Sequence, residues 1–149
     1  MIFPPPLSYS ISEFQDFVAL DPNNPQLGQV DRKGAQMLQA PDFSITVAGE
    51  YSRQAGSAGT LTLRGEYRYQ SKIFFNTFQD DVVSQDGYSL INARLSIESA
   101  NGRWTAAVIG KNLTDKLYAQ AKVRQDPIIG NLRFWSAPRT YGLQVGAIF

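Results

Sequence analysis

Apolar and polar residues alternate along this chain with a period of two, over stretches longer than the roughly five or six residues of an ordinary soluble strand. From Phe43, the series Phe43, Ile45, Val47, Gly49 and Tyr51 interleaves with Ser44, Thr46, Ala48, Glu50 and Ser52. Leu61, Leu63, Gly65, Tyr67 and Tyr69 then interleave with Thr60, Thr62, Arg64, Glu66, Arg68 and Gln70, every charge falling on one side. A third segment sets Ile91, Ala93, Leu95 and Ile97 against Asn92, Arg94, Ser96 and Glu98. A fourth sets Trp104, Ala106, Val108 and Gly110 against Thr105, Ala107, Ile109 and Lys111, with Ile109 the one clear misfit. The chain closes on Tyr141, Leu143, Val145, Ala147 and Phe149 against Thr140, Gly142, Gln144, Gly146 and Ile148. A weaker opening segment has Leu7, Tyr9 and Ile11 against Ser8, Ser10 and Ser12. Successive side chains of a strand point to opposite faces, so the pattern predicts an all-β, antiparallel meander of about six long strands.

The connections alternate between short and long. Gln54 to Ala58 and Ala100-Asn101-Gly102 read as tight turns, the second carrying an Asn-Gly pair that favours a type I′ hairpin. Three others are long, running roughly from Leu20 to Pro41, Phe74 to Gly87 and Asn112 to Ala137. Tight periplasmic turns and extended extracellular loops give an outer-membrane barrel this rhythm. Strands of about 12 residues, tilted near 45°, rise by roughly 28 Å and cross the apolar band of such a barrel. With the chain end at the periplasmic side, Tyr51, Trp104 and Phe149 fall at the periplasmic rim and Phe43, Tyr69 and Tyr141 at the outer rim. All six share the apolar parity of their strands, as aromatic girdles require. A soluble β-sandwich would show the same alternation but has no need of aromatics at the strand ends.

Composition narrows the chemistry. The chain has neither Cys nor His, which excludes disulfides, Ser-His-Asp and Cys-His systems and nearly every transition-metal site. Lys plus Arg is 14 against 13 for Asp plus Glu, so no charge excess points to nucleic acid. No apolar run is long enough for a transmembrane helix, and the Ile2-Phe3-Pro4-Pro5-Pro6 opening does not look like a signal peptide. Asp80, Asp81 and Asp86 do not follow the spacing of a calcium loop, so no metal and no cofactor are expected. Asn112-Leu113-Thr114 reads as a turn or strand break rather than a glycosylation acceptor.

Several stretches resemble the closing region of TonB-dependent outer-membrane receptors. Gly110-Lys111-Asn112-Leu113-Thr114-Asp115-Lys116-Leu117-Tyr118 resembles that family's Lys-Asn-Leu-Thr-Asp segment. Ala137-Pro138-Arg139-Thr140-Tyr141-Gly142 is similar to its entry into a final strand ending in Phe. Asp86-Gly87-Tyr88 with Asn92-Ala93-Arg94 resembles its third-last strand, and Met37 to Ser44 its loop exit, with Leu38 where Pro is usual. The resemblance runs from about Gly34 to Phe149. It implies the C-terminal segment of a barrel of about 22 strands, with residues 1–41 a partial first strand plus a long extracellular loop and 42–149 the barrel segment proper.

The resemblance also implies a function: energised uptake of a siderophore or similar organic ligand across the outer membrane, without enzymatic activity. The terminal residues Tyr141, Leu143, Val145, Ala147 and Phe149 resemble the signal read by the barrel-assembly machinery. Outer-membrane lipid is the other expected partner, while TonB would act only on a full-length receptor, through segments missing here. Glu50, Arg64, Glu66, Arg68, Arg94, Glu98 and Lys111 are expected to face the lumen as a mixed-sign network. Among loop residues, Phe74, Phe75, Phe78, Arg133, Phe134 and Trp135 are the candidates for ligand contact. A receptor fragment that does not transport alone is the leading expectation. A small self-contained barrel with a structural or adhesive role would instead show heat-modifiable migration after refolding in detergent. A soluble ligand-binding β-domain would be monodisperse without it.

Overall fold

The computed structural model describes residues 7–9, 11–125 and 130–148. Phe149 and Ser10, both placed by the alternation above, lie outside them. The described strands are β1 (Leu7–Tyr9), β2 (Val18–Leu20), β3 (Gln29–Asp31), β4 (Phe43–Gln54), β5 (Thr60–Gln70), β6 (Ile73–Phe74), β7 (Ser84–Gln85), β8 (Tyr88–Glu98), β9 (Trp104–Lys111), β10 (Ala119–Gln125), β11 (Gly130–Trp135) and β12 (Thr140–Ala147). Six of them form one antiparallel sheet in the order β1-β4-β5-β8-β9-β12, which is the predicted meander. The sheet is open, with β1 and β12 at its edges. Each long connection carries its own two-stranded ribbon: β2–β3, β6–β7 and β10–β11. Strand β10 therefore belongs to a loop ribbon with β11 and not to the main sheet.

The register carries the alternation across the whole sheet. Glu50, Arg64, Arg94, Ile109 and Gly142 stand opposite one another in one row. Tyr51, Leu63, Leu95, Val108 and Leu143 form a row of the opposite parity. Because the side-chain period is two, one in-register ladder sends the strand charges other than Arg53 to one face and most aliphatic residues, Leu90 and Ile109 excepted, to the other. The apolar face is left open: Leu63, Val108, Val145 and Leu143 are 51%, 54%, 70% and 76% exposed. Among the described residues the buried apolar ones are Ala35, Ile73, Val83, Ala107 and Ala119, and all but Ala107 lie in the long connections. What apolar interior there is sits beneath the loops, not on the sheet.

Two local details differ from the sequence reading. The Ser99–Arg103 turn is not type I′, because only Gly102 has positive φ (68°) while Asn101 does not. Gly102 N–H bonds to the Ser99 carbonyl (2.9 Å), so Ala100 and Asn101 are the central pair. Asn101 Oδ1 accepts from Arg103 N–H (3.1 Å) and the Ser99 hydroxyl (2.9 Å), which uses its side chain as a brace. Strands β9 and β12 are also shorter than about 12 residues, at 8 each. Asn112 follows β9 with φ 51°, and this left-handed residue ends the ladder at the Lys111–Thr140 pair.

The β4–β5 turn shows where glycine is required. Gly59 has φ 119°, and a Cβ there would meet the Glu98 carbonyl oxygen at 1.8 Å. Gly56 also has positive φ (61°), but a Cβ there meets nothing. Gly59→Ala is therefore expected to destabilise the folded chain by about 3 kcal/mol or more, through backbone conformation plus collision with β8. Gly56→Ala should cost only about 1 kcal/mol. Urea midpoints of the two variants, refolded in detergent micelles, measure the difference, and equal midpoints would contradict it.

Candidate functional site

The charged face places the predicted residues Glu50, Arg64, Glu66, Arg68, Arg94, Glu98 and Lys111 on one side of the sheet. Arg64 and Arg94 are directly opposed. Such a like-charge pair is unfavourable unless each cation finds other partners. Arg64 reaches Glu50 at 3.9 Å, with both side chains about half exposed, and Arg94 donates to Gln144 Oε1 at 2.8 Å. Glu66 accepts from Asn92 Nδ2 (3.1 Å). Arg64, Glu66, Asn92, Arg94 and Lys111 line a shallow hollow of about 190 Å³, and the misfit Ile109 is among its apolar lining. Exposed pairs of this kind contribute little stability.

At one end of the sheet the three long connections meet. Gln39 N–H bonds to the Phe74 carbonyl (3.0 Å), and Gln36 Nε2 reaches the Lys72 carbonyl (3.3 Å), joining the first connection to the second. The second and third are joined by a seam that runs antiparallel. Asp80 pairs with Arg124 (2.5 Å), Lys122 donates to the Ser84 carbonyl, Gln85 Oε1 accepts from Ala119 N–H (2.8 Å), and Tyr88 stacks on Tyr118 with ring centroids 4.2 Å apart. Asp80 also caps the turn at Asp81–Val83 by accepting from Val82 N–H (2.9 Å). Asp81 is paired with Lys72 (2.5 Å), so both carboxylates are occupied by cations. Burial pushes the Lys122 ammonium below its ordinary pKa, Arg133 alongside adds to this, and Asp86 opposes it.

The seam continues into the sheet through Asn112. This residue is 7% exposed and sits in the left-handed region. Its N–H bonds to Asn92 Oδ1 (3.0 Å), its Oδ1 accepts from Lys116 N–H (2.9 Å), and its Nδ2 donates to the carbonyls of Lys116 (3.0 Å) and Ala137 (3.4 Å). Asp115 Oδ1 in turn accepts from Arg139 N–H (2.9 Å). Three of the four segments that carried the sequence resemblance thus converge: Asn92, Asn112, Asp115 and Arg139 meet at the base of the third loop. An Asn is suited to the position because its carboxamide supplies both donors and an acceptor and it tolerates positive φ.

Between the three loops lies a cleft of about 320 Å³, with Pro22, Leu38, Phe75, Phe78, Lys122 and Arg124 among its lining residues. It takes in Phe75 and Phe78 from the sequence candidates. Arg32 lies over the Phe78 ring at 5.7 Å. Phe74 is set apart beneath Lys72 (4.9 Å), and Arg133, Phe134 and Trp135 are exposed on β11. The cleft's cations, Lys122 and Arg124, were not singled out from sequence. Their signal was the alternate basic residues Lys122 and Arg124 in the third connection, which only pairing with Ser84 and Asp80 turns into a wall.

The rim aromatics separate by end. Phe43 and Tyr69 approach within 6.0 Å at the loop end, where Tyr141 lies under Arg139 at 6.0 Å. Tyr51 and Trp104 stand at the turn end. Tyr141, Leu143, Val145 and Ala147 share one face of β12.

No protein-family model and no curated protein sequence matches the chain. Solved structures that share its fold include the ferric yersiniabactin uptake receptor FyuA from Yersinia pestis, at TM-score 0.69 and 15% identity over 77% of this chain. BauA, the ferric preacinetobactin receptor from Acinetobacter baumannii, matches 76% of the chain at TM-score 0.52 and 26% identity. The chain spans only 18% and 16% of those two receptors. Both are TonB-dependent siderophore receptors built on β-barrels, and the chain has the fold of part of such a barrel, as its motifs imply.

Asn112→Ala is expected to destabilise the fold by roughly 2–4 kcal/mol, by leaving the Lys116 N–H and two carbonyls without partners and by placing Ala at positive φ. Exposed Thr114→Ala, two residues on, should stay within about 0.5 kcal/mol. Denaturant midpoints in micelles compare the two, and a neutral Asn112→Ala would show that the network is dispensable.

Proposed function

We propose that this chain forms the closing segment of the barrel of a TonB-dependent outer-membrane receptor, which takes up a siderophore or similar organic ligand. The observation that carries this reading is the sheet itself. One face is almost wholly apolar and exposed, the other is charged, and both edges are open. A soluble domain would cover the apolar face with a second layer. A lipid bilayer covers it without one. Open edges leave backbone groups that lipid cannot satisfy, so the segment acts as part of a closed wall and does not transport by itself.

In this reading the apolar face meets outer-membrane lipid, with Phe43, Tyr69 and Tyr141 at one interface and Tyr51 and Trp104 at the other. The charged face lines the lumen. The terminal strand β12 engages the barrel-assembly machinery, and coupling to TonB belongs to the complete receptor. The interloop cleft, with Phe75 and Phe78 facing Lys122 and Arg124, is the place for ligand contact, and Arg133, Phe134 and Trp135 stand on the outer ribbon. The role is that of a receptor wall rather than a catalyst.

The absence of Cys allows a direct test by single-cysteine labelling. An environment-sensitive dye at position 63, 95 or 143 should be quenched by lipid-phase bromine in reconstituted vesicles. At positions 64, 94 and 144 it should behave as in water. The same response at both parities would overturn the placement. A charge at mid-sheet on the apolar face, Leu95→Arg, should reduce folding into vesicles by about 2–4 kcal/mol. Ser96→Arg, one residue away on the charged face, should leave folding nearly unchanged.

A further inference from the structure

Arg53 is the one charged side chain on the apolar parity of the long strands. It follows Ile45, Val47 and Tyr51 on β4, stands opposite Leu61, and lies at the turn end of the sheet. The other strand charges, Glu50 and Arg64 among them, belong to the opposite face. Arg53 is exposed and has no hydrogen-bond or ion-pair partner among the described residues.

A bare guanidinium is costly in hydrocarbon, and it is tolerated near a strand end because the long side chain can reach the interface. The strongest counter-group at that level is a lipid phosphate, which a guanidinium can meet with two parallel hydrogen bonds. The surroundings fit a phosphate that carries an acyl chain. Arg53, Gln54, Ala55, Gly56 and Leu61 line a hollow of about 430 Å³, apolar apart from the guanidinium and the Gln54 amide. Next along the same face, Leu63 stands opposite Tyr51, both exposed. Free phosphate would use the cation and leave this apolar wall empty.

We infer that Arg53 and the hollow beside it form a phospholipid site at the turn-end leaflet. Arg53 holds the headgroup phosphate, and Leu61, Leu63 and Tyr51 receive the start of the acyl chain. The inference rests on the reading of the apolar face as lipid-facing, and it adds a specific lipid contact to that reading.

The full chain, reconstituted in phosphatidylcholine vesicles, is titrated with spin-labelled phosphatidylglycerol or phosphatidylcholine, and the motionally restricted fraction is measured. The unmodified chain should prefer phosphatidylglycerol, and Arg53→Gln should lower that preference about fivefold. Arg53→Lys should keep most of it, and Arg64→Gln, on the charged face, should keep all of it. Excess inorganic phosphate should not displace the labelled lipid, and displacement would overturn the lipid assignment. A dye at position 95 reports insertion in every sample. Lipid contact at position 95 with unchanged selectivity in Arg53→Gln overturns the site alone. Water-like signal at position 95 in the otherwise unmodified chain overturns the lipid-facing reading and the site with it.

Discussion

The structure depends on a surface that the chain itself cannot bury. Six strands expose a continuous sheet of Val, Leu, Ile and Tyr side chains, and no second layer covers it among the described residues. Apolar area left in water forfeits the main favourable term of folding. In the proposed reading, lipid covers that face and further strands cover the edges. These two demands, one for each direction in which the sheet is incomplete, are what the proposed place in a barrel wall would meet.

Its polar interactions are spent at the loop end. Among the described residues, the buried polar residue Ser99 alone lies in a tight turn, and Asp21, Ser84, Gln85, Asn112 and Ser136 lie in the long connections. There they do what a hydrophobic core does elsewhere, holding three long loops to one another. The seam from Asp80–Arg124 through Gln85 and Tyr88–Tyr118 to Asn112 is continuous with the β8–β9 ladder. The second and third loops thereby extend the sheet instead of hanging from it. The cleft between the loops inherits this order, because Lys122 and Arg124 hold the seam and also line the cleft.

The turn end is built differently. It has tight connections, glycine where backbone meets backbone, and a sparse set of amphipathic side chains facing outward. Arg53 stands out there because its parity contradicts its chemistry. On a soluble surface an isolated arginine needs no explanation, but on a face otherwise free of charge it would, in the lipid-facing reading, mark the level at which hydrocarbon gives way to headgroups.

Much of this was legible from residue order. A two-residue period fixes which side chains share a face, since pleating leaves no choice, and six such segments with alternating short and long connections lead to the meander. The turn chemistry was less legible: Asn101-Gly102 suggested a type I′ hairpin, yet Ser99 and Asn101 bond locally and impose another turn. The motif residues were recognisable from sequence, but their work was not, because Asn92, Asn112 and Arg139 meet only when β8, β9 and β12 are aligned. The cleft cations and the isolation of Arg53 were beyond reach for the same reason. By itself the sequence determined the faces, strands and loop rhythm, all of which depend on near neighbours along the chain. Tertiary structure alone decided which distant polar groups would share hydrogen bonds, because that follows from register and loop packing.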